Sequence, residues 1–158
     1  MKNILAVVAV ALAAAGVAQA SGNPIQRDPI TVRIDRPVFL GPTPACPEFR
    51  AETRLLSASG AVVGSSFFCV SSVVPEGPRE TQTGMLTLFL PGGKIVTEAA
   101  IVDDFSGFPI VGQTISGTVV AGSGLYRGAS GTLSGGGTIV IDENGVPHPN
   151  STLVVDLD

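Results

Sequence analysis

The sequence predicts an all-β protein, a single antiparallel up-and-down β-barrel of about eight strands that follows a cleaved signal peptide. Two observations predict this fold class. Apolar and polar residues alternate with a period of two over several short stretches, which is the pattern of half-buried strands. The 20 Gly and 12 Pro of the 158 residues fall largely between these stretches and exclude long helices. Eight or nine short strands joined by tight turns fit a barrel or a sandwich in one domain.

The first 20 residues have the three parts of a secretory signal peptide. A basic start at Lys2 precedes an uninterrupted run of apolar residues and Gly over 4–17, and Ala18-Gln19-Ala20 supplies a cleavage site before Ser21. The apolar run is shorter than the ~20 residues that a membrane-spanning helix needs. We therefore expect a mature protein that is secreted or periplasmic, with no stable membrane insertion.

Two half-buried strands are expected early in the mature chain. Residues 21–47 form an extended N-terminal segment with the first strand over 30–35, and the barrel domain covers 48–158, in one domain with 29–47. Residues 48–59 are rich in helix-favouring side chains, but Phe49, Ala51 and Leu55 alternate with charged residues. A period of two with a charged outer face predicts a strand here in spite of the helix propensity.

The next strands are apolar on both faces. Residues 61–74 and 85–90 carry apolar side chains on either side, and Pro91-Gly92-Gly93 turns the second of them into a strand over 94–102. One face can line a barrel interior while the other packs on a partner subunit or under the chain ends. These strands therefore predict a homo-oligomer.

The C-terminal half is expected to contain four more strands, over residues 114–121, 125–133, 138–141 and 153–157. Gly-rich stretches at 122–124 and 135–137 separate the first three, and Asp142-Glu143-Asn144-Gly145 is a turn signal. His148, between two prolines, is expected on a loop.

Cys46 and Cys69 flank the hairpin predicted by residues 48–74. A turn near residues 57 and 58 places the two cysteines almost opposite each other, so we expect a disulfide, which suits an oxidising compartment. A free nucleophilic thiol is the alternative, but a redox or protease cysteine would usually lack so convenient a partner.

Composition excludes several classes of partner and cofactor. The net charge of −4 argues against nucleic acid, which rewards a basic surface. One His and one cysteine pair cannot build a zinc site, so we expect no metal and no cofactor. With seven Phe, one Tyr and no Trp, a pocket for a small hydrophobic molecule would be walled mainly by aliphatic side chains.

Residues 119–133 contain the run Gly122-Ser123-Gly124-Leu125-Tyr126-Arg127-Gly128-Ala129-Ser130-Gly131, and this run resembles the Gly-rich hairpin of the allene oxide cyclase-like barrels, which include dirigent proteins. Residues 60–66 and 86–95 resemble two further hairpins of that family, so the resemblance covers roughly 48–141. It implies a secreted bacterial member that acts as a cofactor-free cyclase or isomerase, or as a stereo-directing protein, on a small hydrophobic substrate. The alternatives are a non-catalytic ligand-binding protein and a structural module with a filled barrel. No catalytic residue of the family is carried over, because none is placed at a matching position.

Asp103 is the candidate catalytic acid or base. If residues 95–103 turn alternate side chains into the barrel, Asp103 ends an otherwise apolar lining, where a desolvated carboxyl has a raised pKa. A solvated carboxylate beside Asp104 is the alternative, and the two neighbours are expected on opposite faces.

The candidate ligand-binding residues are Phe67, Phe89, Ile101 and Tyr126. Leu88 is the alternative to Phe89, because two-residue and three-residue turns at 91–93 give opposite inward faces. For Tyr126 the alternative is a barrel plug whose hydroxyl binds the backbone.

Overall fold

The computed structural model describes residues 28–158, so the predicted signal peptide, 1–20, lies outside the described residues. Within the described range the chain forms eight strands and one short 3-10 turn, η1, over Phe105–Gly107. The strands are β1 (Ile30–Leu40), β2 (Phe49–Leu56), β3 (Val62–Glu76), β4 (Arg79–Leu90), β5 (Gly93–Asp104), β6 (Ile110–Gly124), β7 (Gly131–Ile141) and β8 (Pro147–Leu157). No helix in this part of the chain is long and apolar enough to cross a membrane.

The sheet closes on itself. Each strand pairs antiparallel with the next one along the chain, and β1 pairs with β8 through Ile30–Arg33, which completes the barrel. This confirms the predicted all-β, up-and-down barrel of eight strands.

The charged strand β2 shows why periodicity outweighed helix propensity. Ala51 and Leu55 are buried inside the barrel, while Glu52 is exposed and Arg54 forms an ion pair with Asp35 on the outer face of β1. A helix would have spread the same charges around its axis, whereas a strand directs all of them to one face.

The glycine triplet Gly135-Gly136-Gly137 does not separate two strands, as the sequence suggested; it lies in the middle of β7. Gly136 and Gly137 have φ angles of 144° and 153°, which side chains disfavour, so glycine lets this strand coil sharply. Residues 125–130, expected to belong to a strand, instead form the turn between β6 and β7. Tyr126 is therefore a turn residue.

His148 lies in β8 rather than on a loop, and its Nε2 atom is 3.0 Å from the Asp142 Oδ2 atom on the outer surface. Two prolines, Pro147 and Pro149, are tolerated in this strand because β1 reaches only its later part. The first residues of β8 therefore have one unpaired edge, where a missing N–H costs no ladder hydrogen bond.

Cys46 and Cys69 form a disulfide with a Cα–Cα distance of 5.1 Å, as predicted. Cys69 lies on β3 opposite Arg50, and Cys46 lies in the loop before β2. The loop has a small ladder of its own, since Thr43 and Cys46 exchange backbone hydrogen bonds of 2.9 and 3.0 Å. The disulfide thus fastens an ordered loop to the barrel wall.

The two ends of the barrel differ. Near the β2–β3, β4–β5 and β6–β7 turns, the interior is filled by fully buried aliphatic side chains: Leu55, Leu88, Ile95, Leu133 and Val155. Tyr126 packs against the same core. The opposite end, which carries the 41–48 loop, η1 and the β7–β8 turn, is open, and the candidate site lies there.

Candidate functional site

A cavity of about 350 Å³ occupies the open half of the barrel. Its wall is mainly aliphatic and aromatic, with a few polar side chains. The lining residues from β1 to β4 are Ile34, Pro37, Phe39, Phe49, Ala51, Thr53, Ser66, Phe68, Gln82 and Leu86; those from β5 onward are Ile101, Asp103, Phe105, Val111, Gln113, Ile115, Ile139, Ile141, Gly145, Pro147, Pro149 and Leu153. Alternation along each strand supplies this wall, because every second side chain points inward.

Strand β5 supplies the candidate acid. Ile95, Thr97 and Ala99 are buried in the filled half of the barrel, and Ile101 and Asp103 continue the same face into the cavity wall. The inward face that the sequence suggested for residues 95–103 is the face that the structure shows. Asp103 is therefore an interior residue rather than a solvated one, with only 8% of its surface exposed.

Two glutamine amides hold the Asp103 carboxyl group. Gln113 donates from Nε2 to Oδ1 at 3.0 Å, and Gln82 donates from Nε2 to Oδ2 at 3.1 Å. Burial raises the pKa of Asp103 above its ordinary value; the Gln113 hydrogen bond opposes this shift and the negative charge of Glu80 adds to it. A buried carboxyl group with a raised pKa in the wall of a cavity is a candidate functional residue.

Register explains why these amides reach Asp103. Gln113 on β6 is directly opposite Asp103, while Gln82 on β4 is opposite Ile101, one inward position away. Sequence reasoning missed both glutamines. The signal was present in β6, where Gln113 interrupts the inward apolar series between Val111 and Ile115.

Asp104 behaves in the opposite way to its neighbour. It faces outward, accepts a hydrogen bond from Arg79 Nε at 3.0 Å, and caps η1 through the backbone N–H of Ser106 at 3.0 Å. The hydrogen bonds from Ser106, followed by that from Arg79, lower the pKa of Asp104 to about 2. The pKa values of these two adjacent carboxyl groups therefore shift in opposite directions, because the strand places the side chains on opposite faces.

The aromatic residues that the sequence suggested as ligand contacts do not line the cavity together. Phe67 and Phe89 lie on the outer face of β3 and β4, where Phe89 is 46% exposed, while Phe68 and Leu88 point inward. The deciding feature is the β4–β5 turn: Leu90 pairs with Gly93, so only two residues form the turn. Ile101 is the one predicted ligand contact that shares the cavity wall with Asp103.

Tyr126 lies at the closed end, away from the residues that line the cavity. Its hydroxyl donates a hydrogen bond to the Pro91 carbonyl oxygen at 3.3 Å, and its ring packs on the core. This is the geometry of a barrel plug.

The mouth of the cavity is aromatic. The rings of Phe39 and Phe49 meet edge to face with centroids 6.0 Å apart, and Phe105 follows Asp103 by two residues at the same rim. Deeper in the wall, the hydroxyl oxygens of Thr53 and Ser66 are 2.6 Å apart and satisfy each other. No group of three or more potential metal ligands occurs within residues 28–158.

Comparison with known proteins supports the fold and leaves the family open. No family model matches the chain, and no curated protein matches it. Among solved structures, pyocyanin demethylase is similar with a TM-score of 0.52 and 15% sequence identity, over 83% of this chain and 100% of that chain. At this identity the likeness shows a shared β-barrel fold and nothing further.

Proposed function

We propose that this protein is an extracytoplasmic β-barrel that binds a small hydrophobic molecule in the open half of its interior. One observation carries the proposal: the cavity is open at one end, apolar over most of its wall, and contains one buried, doubly hydrogen-bonded carboxyl group at Asp103. Apolar pockets with a few fixed polar groups are the usual form of small-molecule sites.

The size and lining of the cavity suit such a ligand. About 350 Å³ is at the lower end of the range, roughly 300–1,000 Å³, in which ligand pockets fall. Four phenylalanines join a larger number of aliphatic residues in the wall, so binding would come from apolar burial, at about 25 cal/mol per Å², and from shape. The carboxyl and the two amides would orient the ligand.

The disulfide supports an extracellular or periplasmic location, because disulfides persist in oxidising compartments. The signal-peptide pattern in residues 1–20 predicts the same location from an independent part of the sequence.

A second candidate is cofactor-free catalysis of the allene oxide cyclase-like kind, which the Gly-rich hairpin suggested. The observation that favours it is Asp103, a buried acid with a raised pKa in the wall of a cavity. Asp103 would accept a proton from one atom of the substrate and return it to another, so an isomerisation or cyclisation would leave the carboxyl unchanged. The fold shared with pyocyanin demethylase agrees with a small-molecule reaction without specifying one.

The test compares a blocked cavity with a matched control. Ala51 faces the cavity, so Ala51→Phe would fill part of it; Ala100 lies on the outside of β5, so Ala100→Phe adds the same ring elsewhere. We expect the neutral fluorescent probe N-phenyl-1-naphthylamine to bind the wild-type mature chain and Ala100→Phe, with at least tenfold weaker binding to Ala51→Phe. Equal binding to all three proteins, or no binding to the wild type, would overturn the proposal.

Catalysis requires a further comparison. Small molecules released by denaturing the protein purified from its native host would be identified by mass spectrometry and incubated with fresh wild-type protein and with Asp103→Asn. Conversion of the released molecule by the wild type but not by Asp103→Asn supports an enzymatic function. Binding by both proteins without conversion supports the carrier.

A further inference from the structure

The buried carboxyl of Asp103 has no cationic partner among residues 28–158, the part of the chain that the structure describes. The residues that line the cavity include no Lys, Arg or His. Of the basic side chains on nearby strands, Arg79 binds Asp104 and His148 binds Asp142, both outside the barrel. A buried carboxylate without a counter-charge costs free energy, and a bound cation would remove that cost.

The groups that face Asp103 from the adjoining strands do not supply positive charge. Glu80 on β4 is directly opposite Asp103 and adds a second acid, while β6 contributes the neutral Gln113. Gln82 donates to both acids, to Glu80 Oε1 at 3.0 Å and to Asp103 Oδ2 at 3.1 Å. The amides satisfy lone pairs and favour the ionised carboxylate, but they leave its charge uncompensated.

A second unsatisfied polar group lies in the same inward row, although it is not among the residues that line the cavity. The hydroxyl of Ser151 is buried, with the residue 1% exposed, and has no hydrogen-bond partner within the described chain. Ser151 lies on the inward face of β8 between Pro149 and Leu153, which both line the cavity. Register places it in one row with Asp103 and Gln113, with only the side-chain-free Gly137 between Gln113 and Ser151.

We propose, on the basis of the function proposed above, that the ligand is a hydrophobic cation, such as a protonated amine or a cationic nitrogen heterocycle. Its charge lies against Asp103, and its apolar body fills the cavity. Phe105, two residues after Asp103, also lines the cavity. Such a ligand supplies the counter-charge that the described residues around Asp103 do not provide.

The test uses three probes with one apolar body and different charges: 1-adamantylammonium, 1-adamantanol and 1-adamantanecarboxylate. Their affinities for the wild-type mature chain are measured by isothermal titration calorimetry at pH 7. We expect the ammonium probe to bind at least tenfold more tightly than the alcohol, and the carboxylate to bind more weakly than the alcohol. In Asp103→Asn the ammonium and alcohol affinities should agree within twofold, while the outward control Asp104→Asn keeps the preference.

Each other outcome has a defined meaning. If the alcohol binds and the ammonium has no advantage, or if Asp103→Asn retains the advantage, the inference about charge is wrong while the hydrophobic site stands. If none of the three probes binds, both this inference and the proposed function are contradicted.

Discussion

Removal of the disulfide should destabilise the barrel by an amount that follows from the loop it closes. Cys46 and Cys69 are separated by 23 residues. The chain-entropy relation gives about 3.4 kcal/mol at 25 °C for a closed loop of this length, because the cross-link restricts the unfolded chain. The double variant Cys46→Ala, Cys69→Ala should lose this free energy of unfolding.

Urea unfolding followed by circular dichroism measures the loss. With a slope of about 2 kcal/mol per M, a decrease of about 3.4 kcal/mol moves the midpoint down by about 1.7 M urea. Reduction of the wild-type disulfide should give the same shift, and the reductant should have no effect on the double variant.

The result also bears on the cavity. The loop that the disulfide fastens joins Phe39 to Phe49, whose rings meet at the mouth, so the double variant should also bind N-phenyl-1-naphthylamine more weakly. A decrease of less than about 1 kcal/mol would refute the entropic reasoning. It would mean that the unfolded chain is already restricted in this region, or that the loop's own hydrogen bonds carry its order.

Four further predictions concern three polar groups and one turn. The pKa of Asp103 in the folded protein is raised above 3.8, so protonation of this group stabilises the barrel at low pH. That stabilisation is lost as the pH rises from 3.8. The free energy of unfolding of Asp103→Asn, measured by urea unfolding at a series of pH values, should therefore fall less steeply above pH 3.8 than that of the wild type. The pKa of Asp104 is lowered to about 2, so its ionised form stabilises the folded protein above pH 3.8, and that stabilisation is lost as the pH falls towards 2. If the free energy of unfolding of Asp104→Asn falls between pH 3.8 and 2 as steeply as that of the wild type, this prediction is wrong. Ser151→Ala should raise the unfolding free energy by about 1 kcal/mol by removing a buried unpaired hydroxyl, whereas Ser66→Ala, which breaks a 2.6 Å hydrogen bond, should lower it by a similar amount; a loss in both would show that Ser151 is satisfied. Gly124→Ala should lower the free energy of unfolding by at least about 1 kcal/mol, because φ is 62° there and a Cβ would overlap a backbone carbonyl oxygen of the β4–β5 turn. A melting temperature equal to that of the wild type would rule out this strain.

The homo-oligomer expected from the two-faced strands remains a prediction. Phe89 and Val62 are exposed on the outer wall, at 46% and 60%. Sedimentation of the mature chain at tens of micromolar tests self-association, and a monomer there would contradict it.

Local alternation was enough to predict strands and to divide their side chains between two faces, while it left open whether Asp103 faced the interior or solvent. On β5, the series from Ile95 to Asp103 kept one face over its whole length, and β2 was a strand in spite of its charges. Alternation carries this information because the side-chain period of a strand is two, whatever the strand pairs with.

The relation between strands could not be predicted in the same way. Whether Leu88 or Phe89 faced inward depended on one residue in the β4–β5 turn, and a β-bulge between Val70 and Ser72 shifts the register of β3 against β4. Each inserted residue reverses the face of everything that follows, so small local uncertainties accumulate around the barrel. The meeting of Gln82 and Gln113 at Asp103 depends on the β4–β5 and β5–β6 registers.

The sequence by itself determined the all-β class, a count of about eight strands and the disulfide partners, because each follows from spacing along one or two neighbouring segments. It offered the inward position of Asp103 as one of two alternatives. Only the tertiary structure decided that one end of the barrel is filled and the other open, and that the buried acid is held by amides, with no cation from residues 28–158 beside it. Those features arise from side chains on different strands, which closure of the barrel brings together and which no single stretch of sequence contains.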